Sequence, residues 1–295
     1  METLRFLLVT TFYPPYHLGG DAVHVEYLAR TLAERGHEVH VEFAPAAYRA
    51  KRGDKPLASP SADPSIHLHP IPSSAANAQP IGAYLFGRSR SVTRFHARTL
   101  EEIRPDVVHY HNISLLGRGV LEGASNATTL YTAHDYWLRC PRSDLFKYGR
   151  YPCDDPTCVR CTLASRRPPQ LWRRGWRGLE GIDMALAPSR FMLRALEGWT
   201  NCPIIHIPNF TPDRNPGGHV ARPEDFYLYV GVLETHKGIL ELASAVAGRP
   251  ERTNLVIVGR GAHETRLRAL SRLGRSCVRV EGWLEPERLA GLYPK

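Results

Sequence analysis

The sequence predicts an α/β protein of two domains, each built on a parallel sheet, and three observations carry that prediction. Residues 7–43 read as strand, Gly-Gly loop, amphipathic helix, tight turn and strand. Short apolar runs then alternate with helix-periodic stretches, and two of those runs end in polar, histidine-bearing clusters. The same alternation restarts at Phe226, after a stretch rich in Pro, Gly and Arg. A chain of 295 residues, 43% of them hydrophobic, is long enough to supply two cores.

Leu4 to Thr10 is an apolar run of buried-strand length. Gly19 and Gly20 permit a sharp turn and close ligand approach, because no Cβ stands in the way. Asp21 is the expected N-cap, with Val25, Leu28, Ala29 and Leu32 at helical spacing behind it. Gly36 stops that helix, and Val39, Val41 and Phe43 alternate as the next strand. A glycine loop feeding a helix N-terminus suits an anion, since free N–H groups and the helix dipole point at it. Residues 45–80 read as a long surface loop broken by a strand near Ile66–Leu68. A helix over Ser91–Ile103 precedes a strand from Val107 that ends in His109, His111 and Asn112, and a strand over Thr128–Thr132 ends at His134 and Asp135. Ligands of parallel sheets sit at such C-terminal strand ends. His109 and His111, two apart on a strand, face one side of the sheet.

Further strands are expected at Met184–Ala187 and Ile204–Ile207, with a short helix from near Ser189 between them. Residues 211–224 read as a linker. The second domain, 225–295, then reads as strand Tyr227–Val230, helix Ile239–Ala247, strand Leu255–Val258, helix Glu264–Leu273 and strand Val278–Val280.

No run of about 18 apolar residues predicts a membrane span, and the N-terminus lacks a signal-peptide pattern, so a cytoplasmic location is expected. The formal charge of +9 suits a solubilising surface, anionic lipid or phosphorylated ligands, and no motif accompanies it to indicate nucleic acid. Arg166, Arg167, Trp172, Arg173, Arg174, Trp176 and Arg177 have two readings. One is peripheral contact with an anionic inner membrane face. The other is a solvated helix with its tryptophans packed inward.

Cys140, Cys153, Cys158 and Cys161 are separated by twelve, four and two residues in a turn-rich segment with little core of its own. Four thiolates around a structural Zn²⁺ fit that spacing in a reducing compartment. Disulfides or free thiols, and an iron–sulfur cluster, are the alternatives. Cys202 and Cys277 read as simple buried thiols.

Pro14-Pro15, Gly19-Gly20, Leu28-Ala29, Leu32-Ala33, Gly36-His37 and Val39 together resemble the opening of retaining glycosyltransferases of family 4. The resemblance extends in order through the DVVHYHN segment, Thr132-His134-Asp135, and Gly231-Val232-Leu233-Glu234-Thr235-His236-Lys237-Gly238. It implies the GT-B fold, two Rossmann-like domains facing across a cleft. The acceptor-side domain would be 1–210, with a Cys-rich insert at 138–165 that resembles inserts in a subset of the family. The C-terminal nucleotide-sugar domain would be incomplete, since the family's Glu-x7-Glu segment would follow Tyr293.

The resemblance also implies site residues. His111 would face the donor sugar, with His134 and Asp135 near the acceptor, which enters over Gly19 and Gly20. Lys237 would hold the donor diphosphate, and Gly259 and Gly261 would pass close to the nucleotide. Val232 departs from the family, which usually has an arginine there, so His236 or another arginine substitutes or donor binding weakens. Gly259 and Gly261 do not make a dinucleotide fingerprint, because Glu264 holds the third glycine's place, which argues against an NAD enzyme. The implied activity is retaining transfer of a sugar from a nucleotide-diphosphate donor to a saccharide or lipid-linked acceptor, without a catalytic metal. The alternatives are a non-catalytic GT-B protein that binds acceptor, partner or membrane, and a GT-B nucleotide-sugar epimerase.

Overall fold

The computed structural model describes residues 2–53, 63–73, 78–123, 126–154, 157–176, 178–210, 226–249, 253–270 and 278–293. The chain divides into two compact units, Met1–Leu145 with Cys153–Thr211, and Phe146–Pro152 with Pro212–Lys295. Along the chain up to residue 210 run β1 (Arg5–Val9), α1 (Gly20–Glu34), β2 (Glu38–Phe43), α2 (Pro45–Arg52), β3 (Ile66–Pro70), α3 (Ala78–Phe86), α4 (Arg90–Ile103), β4 (Val107–Tyr110) and β5 (Thr128–Thr132). They are followed by the hairpin β6 (Phe146–Lys147) and β7 (Tyr151–Pro152), then α5 (Cys158–Ala164), β8 (Met184–Ala187), α6 (Arg190–Leu196) and β9 (Ile204–His206).

The seven strands of the first unit form one sheet in the order β3-β2-β1-β4-β5-β8-β9, every pair parallel. The chain order reverses between β1 and β4, the switch point where loops diverge and open a crevice at the strand C-termini. Leu7, Val9, Val108, Tyr110 and Tyr131 fill the core on one side of the sheet, and Leu8, Val25, Ala29, Val39 and Val41 fill the other. Both faces of β2 are therefore covered. Val39 and Val41 pack beneath α1, and Glu42 on the opposite face is fully buried. There Glu42 meets His96 from α4, whose Nδ1 lies 3.1 Å from both carboxylate oxygens and whose Nε2 lies 3.1 Å from the Tyr110 hydroxyl.

Three local expectations are corrected. Residues 45–80 are not one loop: α2 and α3 occupy part of them, and the strand extends to Pro70. Pro45 suits the first turn of α2, where its missing N–H would have had no helical partner, and Ala46, Ala47 and Tyr48 bury that turn. Asp21 is not the N-cap of α1; Gly19 is, at φ 86°, a conformation that favours glycine. The Arg166–Trp176 stretch is not a helix but carries a short 3₁₀ turn at Leu171–Arg173, with Trp172 and Trp176 packed against the core. Arg173 sits 4.7 Å from the Trp172 ring centroid and 4.9 Å from that of Trp137, and donates to the Trp137 carbonyl at 2.7 Å. Its burial lowers the guanidinium pKa to about 10. The rings therefore face inward, and Arg166, Arg167 and Arg174 remain exposed.

The second unit carries β10 (Phe226–Val230), α7 (Ile239–Ala247), β11 (Asn254–Val258), α8 (Glu264–Leu270), β12 (Val278–Gly282) and α9 (Pro286–Ala290). Its three strands are parallel in the order β10-β11-β12, over a core of Leu233, Ile239, Ala243, Leu255, Ile257 and Leu267. The stretch read as a linker lies outside the described residues, as do Arg177, Cys277 and residues 271–273 of the expected helix. Among the described residues, no helix is long and apolar enough to cross a membrane.

Candidate functional site

The switch point of the first sheet gathers side chains from three strand ends and one helix. The loop after β1 brings Gly19, the first turn of α1 brings Gly20 and Asp21, the end of β4 brings His109, His111 and Asn112, and the end of β5 brings His134 and Asp135. α1 adds His24, just over one turn in. His111 Nδ1 lies 3.0 Å from His134 Nε2, with the two rings stacked. The His24 ring stands 5.0 Å from that of His134 and 5.9 Å from that of His111. Strand pleating puts His109 on the same side as His111, with ring centroids 4.1 Å apart, and His109 Nε2 pairs with Thr132 Oγ1 at 2.8 Å. His111 Nε2 and His24 Nδ1 are buried without a hydrogen-bond partner among the described residues.

Burial sets the charge of this cluster. Desolvation lowers the pKa of His109 and of His134 to about 3, drives that of His111 well below the usual imidazole range, and lowers that of His24. The site therefore presents neutral rings at pH 7, able to donate or accept but not to act as cations. The unfolded chain protonates these histidines near 6.5 and the folded chain resists it, so stability is full above that pH and lost as pH falls. Asp135, raised to about 6 by burial, and Asp21, also raised by burial, oppose the trend as pH falls below 6, but four histidines outweigh two carboxyls. The melting temperature of the first unit is expected to fall continuously between pH 7 and about 4.5. A flat profile by circular dichroism across that range would show that the rings are not held neutral.

The acidic groups are held in place. Asn112 Nδ2 donates to Asp21 Oδ2 at 2.7 Å, tying the glycine loop to the end of β4. Asp135 Oδ1 accepts the Trp137 N–H at 2.8 Å, which gives it the Asx-turn role at the end of β5. Lys51 on α2, which the sequence reading missed, lies within electrostatic reach of Asp21 and Asp135. Burial, and after it the charge of Arg167, lowers the pKa of Lys51, and the charges of Asp21 and Asp135 oppose that fall. No local signal marks Lys51, because its segment reads as loop. The two glycines of the opening loop differ: a Cβ on Gly20 would meet nothing within 4 Å, whereas Gly19 is fixed by its positive φ.

In the second unit, Lys237 is exposed at the end of a 3₁₀ turn, Thr235–Lys237, just ahead of α7. Val232 is half-exposed and offers only its carbonyl, which accepts the Tyr229 hydroxyl at 3.0 Å. Arg260 is exposed on the neighbouring loop, and its carbonyl accepts the Leu233 N–H at 3.0 Å. Gly259 and Gly261 have a packing reason of their own. A Cβ on Gly259 would lie 1.8 Å from the Gly231 carbonyl oxygen, and one on Gly261 would lie 2.6 Å from that of Leu233.

Burial together with the charges of Cys140 and Cys161 raises the pKa of Cys158. The sulfurs of Cys140, Cys153, Cys158 and Cys161 do not supply three ligand atoms within 4.8 Å of one another. Among the described residues, His24, His111 and His134 do.

The model of Glycosyltransferase Family 4 matches residues 18–213, a span that includes every residue of the strand-end cluster. The chain belongs to Glycosyltransferase Family 4. An uncharacterized 42.6 kDa protein in the cps region of Klebsiella pneumoniae is 27% identical over 156 residues, covering 50% of this chain and 40% of that protein. The match thus spans less than half of that relative. Among solved structures, sucrose-phosphate synthase from Thermosynechococcus elongatus aligns with TM-score 0.60 at 18% identity, covering 97% of this chain and 72% of that one. A lipopolysaccharide outer core galactosyltransferase aligns at 0.55 and 13%, covering 97% and 70%. The catalytic domain of starch synthase IV from Arabidopsis thaliana, bound to ADP and acarbose, aligns at 0.56 and 12%, covering 99% and 76%. These likenesses establish the family's fold for this chain: α/β, of the GT-B kind.

Proposed function

We propose that the protein transfers a sugar from a nucleotide-diphosphate donor to a saccharide or lipid-linked acceptor, with retention of configuration. The observation that carries this reading is the buried, unpartnered Nε2 of His111 at the switch point of a family 4 domain. An unpaired polar atom in a dry site costs roughly 1–3 kcal/mol, a cost that a ligand hydroxyl or oxygen offsets. His111 is fully enclosed, so a sugar reaches Nε2 by displacing a neighbouring ring. In this reading His111 contacts the reacting centre as a neutral hydrogen-bonding group and His134 fixes its ring. Asp135 and the Gly19–Gly20 loop face the acceptor. Lys237 supplies a compact positive charge to the donor diphosphate, and Gly259 and Gly261 bring two loops together beside the nucleotide. The work is positioning and stabilisation of charge developing on the leaving phosphate.

The test is acceptor-dependent release of nucleotide diphosphate by the protein expressed from its complete gene, compared with Lys237→Ala. Release that requires the acceptor, with KM for donor raised at least about 10-fold by the substitution, supports the reading. Donor turnover without acceptor would favour an epimerase. Donor binding with no turnover would favour the non-catalytic alternative, which the half-exposed Val232 at the arginine position also favours.

We also propose that the four cysteines take one structural Zn²⁺ when their thiols close around it. Cys158 already lies within electrostatic reach of Cys140 and Cys161, while Cys153 follows β7. About one equivalent of zinc released from fresh, reduced protein by a thiol-blocking mercurial is expected. Substoichiometric zinc would remove the assignment.

A further inference from the structure

Zinc on thiolates does not account for the histidines. In a cluster of neutral imidazoles, each ring keeps one nitrogen lone pair free of a proton. His24, His111 and His134 bring one ring nitrogen each within 4.8 Å of the other two, from α1, β4 and β5. Nothing in the proposed transfer requires a third imidazole. His24 takes no part in it, yet its Nδ1 is buried and unpartnered, as is His111 Nε2. Metal–nitrogen bonds of about 2.0–2.1 Å place tetrahedral ligand atoms roughly 3.4 Å apart, so the three rings need to close by little more than ~1 Å. His111 Nδ1 and His134 Nε2, at 3.0 Å, are already that near.

We propose that His24, His111 and His134 bind a borderline first-row divalent cation of the Zn²⁺, Co²⁺ and Ni²⁺ class, and that the bound cation blocks the site. The donor set selects the class. Three imidazoles and no oxygen ligand suit these cations, and Mg²⁺ and Ca²⁺ require oxygen. Neutral rings ligate without losing a proton; the hydrogen shared between His111 and His134 moves to an outer ring nitrogen as the cation takes the facing lone pairs. Three protein ligands leave a fourth position to water or an anion. The blocking effect follows because the cation ties up His111, and that part rests on His111 serving the transfer. The binding itself does not.

The experiment is a Co²⁺ titration of tag-free, metal-stripped protein, read by visible absorption and calorimetry, with His24→Ala and His134→Gln alongside. Cobalt on the cysteines is recognised by thiolate charge transfer in the near ultraviolet, which nitrogen ligands lack. The unsubstituted protein is expected to take one equivalent more than either variant, through a site without thiolate charge transfer, and an excess of Mg²⁺ is expected not to displace it. Each variant is expected to weaken that site at least about 10-fold. His69→Ala, which removes a histidine of the separate His40–His69 pair, is expected to leave it unchanged. Equal uptake and affinity in all folded forms would overturn the proposal. Should the variants fail to fold, imidazole ¹⁵N shifts in the unsubstituted protein decide it. Zn²⁺-dependent shifts at three rings support the site, and shifts spread over exposed histidines overturn it. If transfer proves absent while the cobalt site is present, the transferase reading fails and the metal site stands.

Discussion

His111→Ala is expected to lower sugar transfer by about 100–1000-fold, the loss typical when a preorganised hydrogen-bonding group is removed from a reacting centre. His111 combines the features that make such a loss large. It is fully buried, its Nδ1 is engaged by His134 at 3.0 Å, and its Nε2 is held without a partner. The alanine variant also opens a cavity beside His109 and His134, so a fall in activity alone would not separate chemistry from packing. His111→Asn keeps a polar group of smaller reach and reduces that cavity. Both variants are expected to fall mainly in kcat, with donor KM changed little, since KM reports the diphosphate contacts. Melting temperatures measured on the same samples show whether the fold survives. Wild-type turnover in a folded His111→Ala protein would remove His111 from the reacting centre.

His96→Leu is expected to destabilise the first unit by about 3–5 kcal/mol, because it strips the hydrogen-bonding partner from a carboxylate that has no access to water. Glu42 is 0% exposed and His96 1%, and the Tyr110 hydroxyl loses its partner in the same substitution. The double variant Glu42→Met/His96→Leu removes the buried carboxylate as well and is expected to recover most of the loss, as apolar replacement of a buried pair commonly does. Urea unfolding followed by tryptophan fluorescence reports this unit, because Trp137, Trp172, Trp176 and Trp199 lie in it and Trp283 alone lies in the other. Equal stabilities for the single and double variants would show that Glu42 is tolerated without its partner.

The Glu42–His96 pair also marks the limit of what the sequence discloses. The alternation of Val39, Val41 and Phe43 announces β2 correctly, and the same alternation would put His40 and Glu42 on an outer face. A parallel sheet buries both faces, and the partner that permits Glu42 inside lies 54 residues away on α4. No local pattern carries that information. The strand ends are the opposite case. Each apolar run ends where its polar cluster begins, so the strand-end cluster of His111, His134 and Asp135 was legible as a candidate site, and parallel pairing brings its members together. α2 was hidden because Pro and Ala also mark loops; burial of Ala46, Ala47 and Tyr48 stabilises it, and Lys51 was lost with it. Gly259 and Gly261 were legible as special positions, and their contacts with Gly231 and Leu233 show a packing cause that sequence alone does not separate from ligand approach.

Structure determination of the reaction product tests the central claim most directly. The protein from its complete gene is incubated with nucleotide-sugar donors and a glycan acceptor, and the acceptor is analysed by mass spectrometry and proton NMR. A mass gain of one glycosyl residue, with the anomeric configuration of the donor preserved in the new linkage, is the predicted result. An inverted linkage would contradict the retaining reading, and an acceptor unchanged after donor binding has been demonstrated would contradict transfer itself.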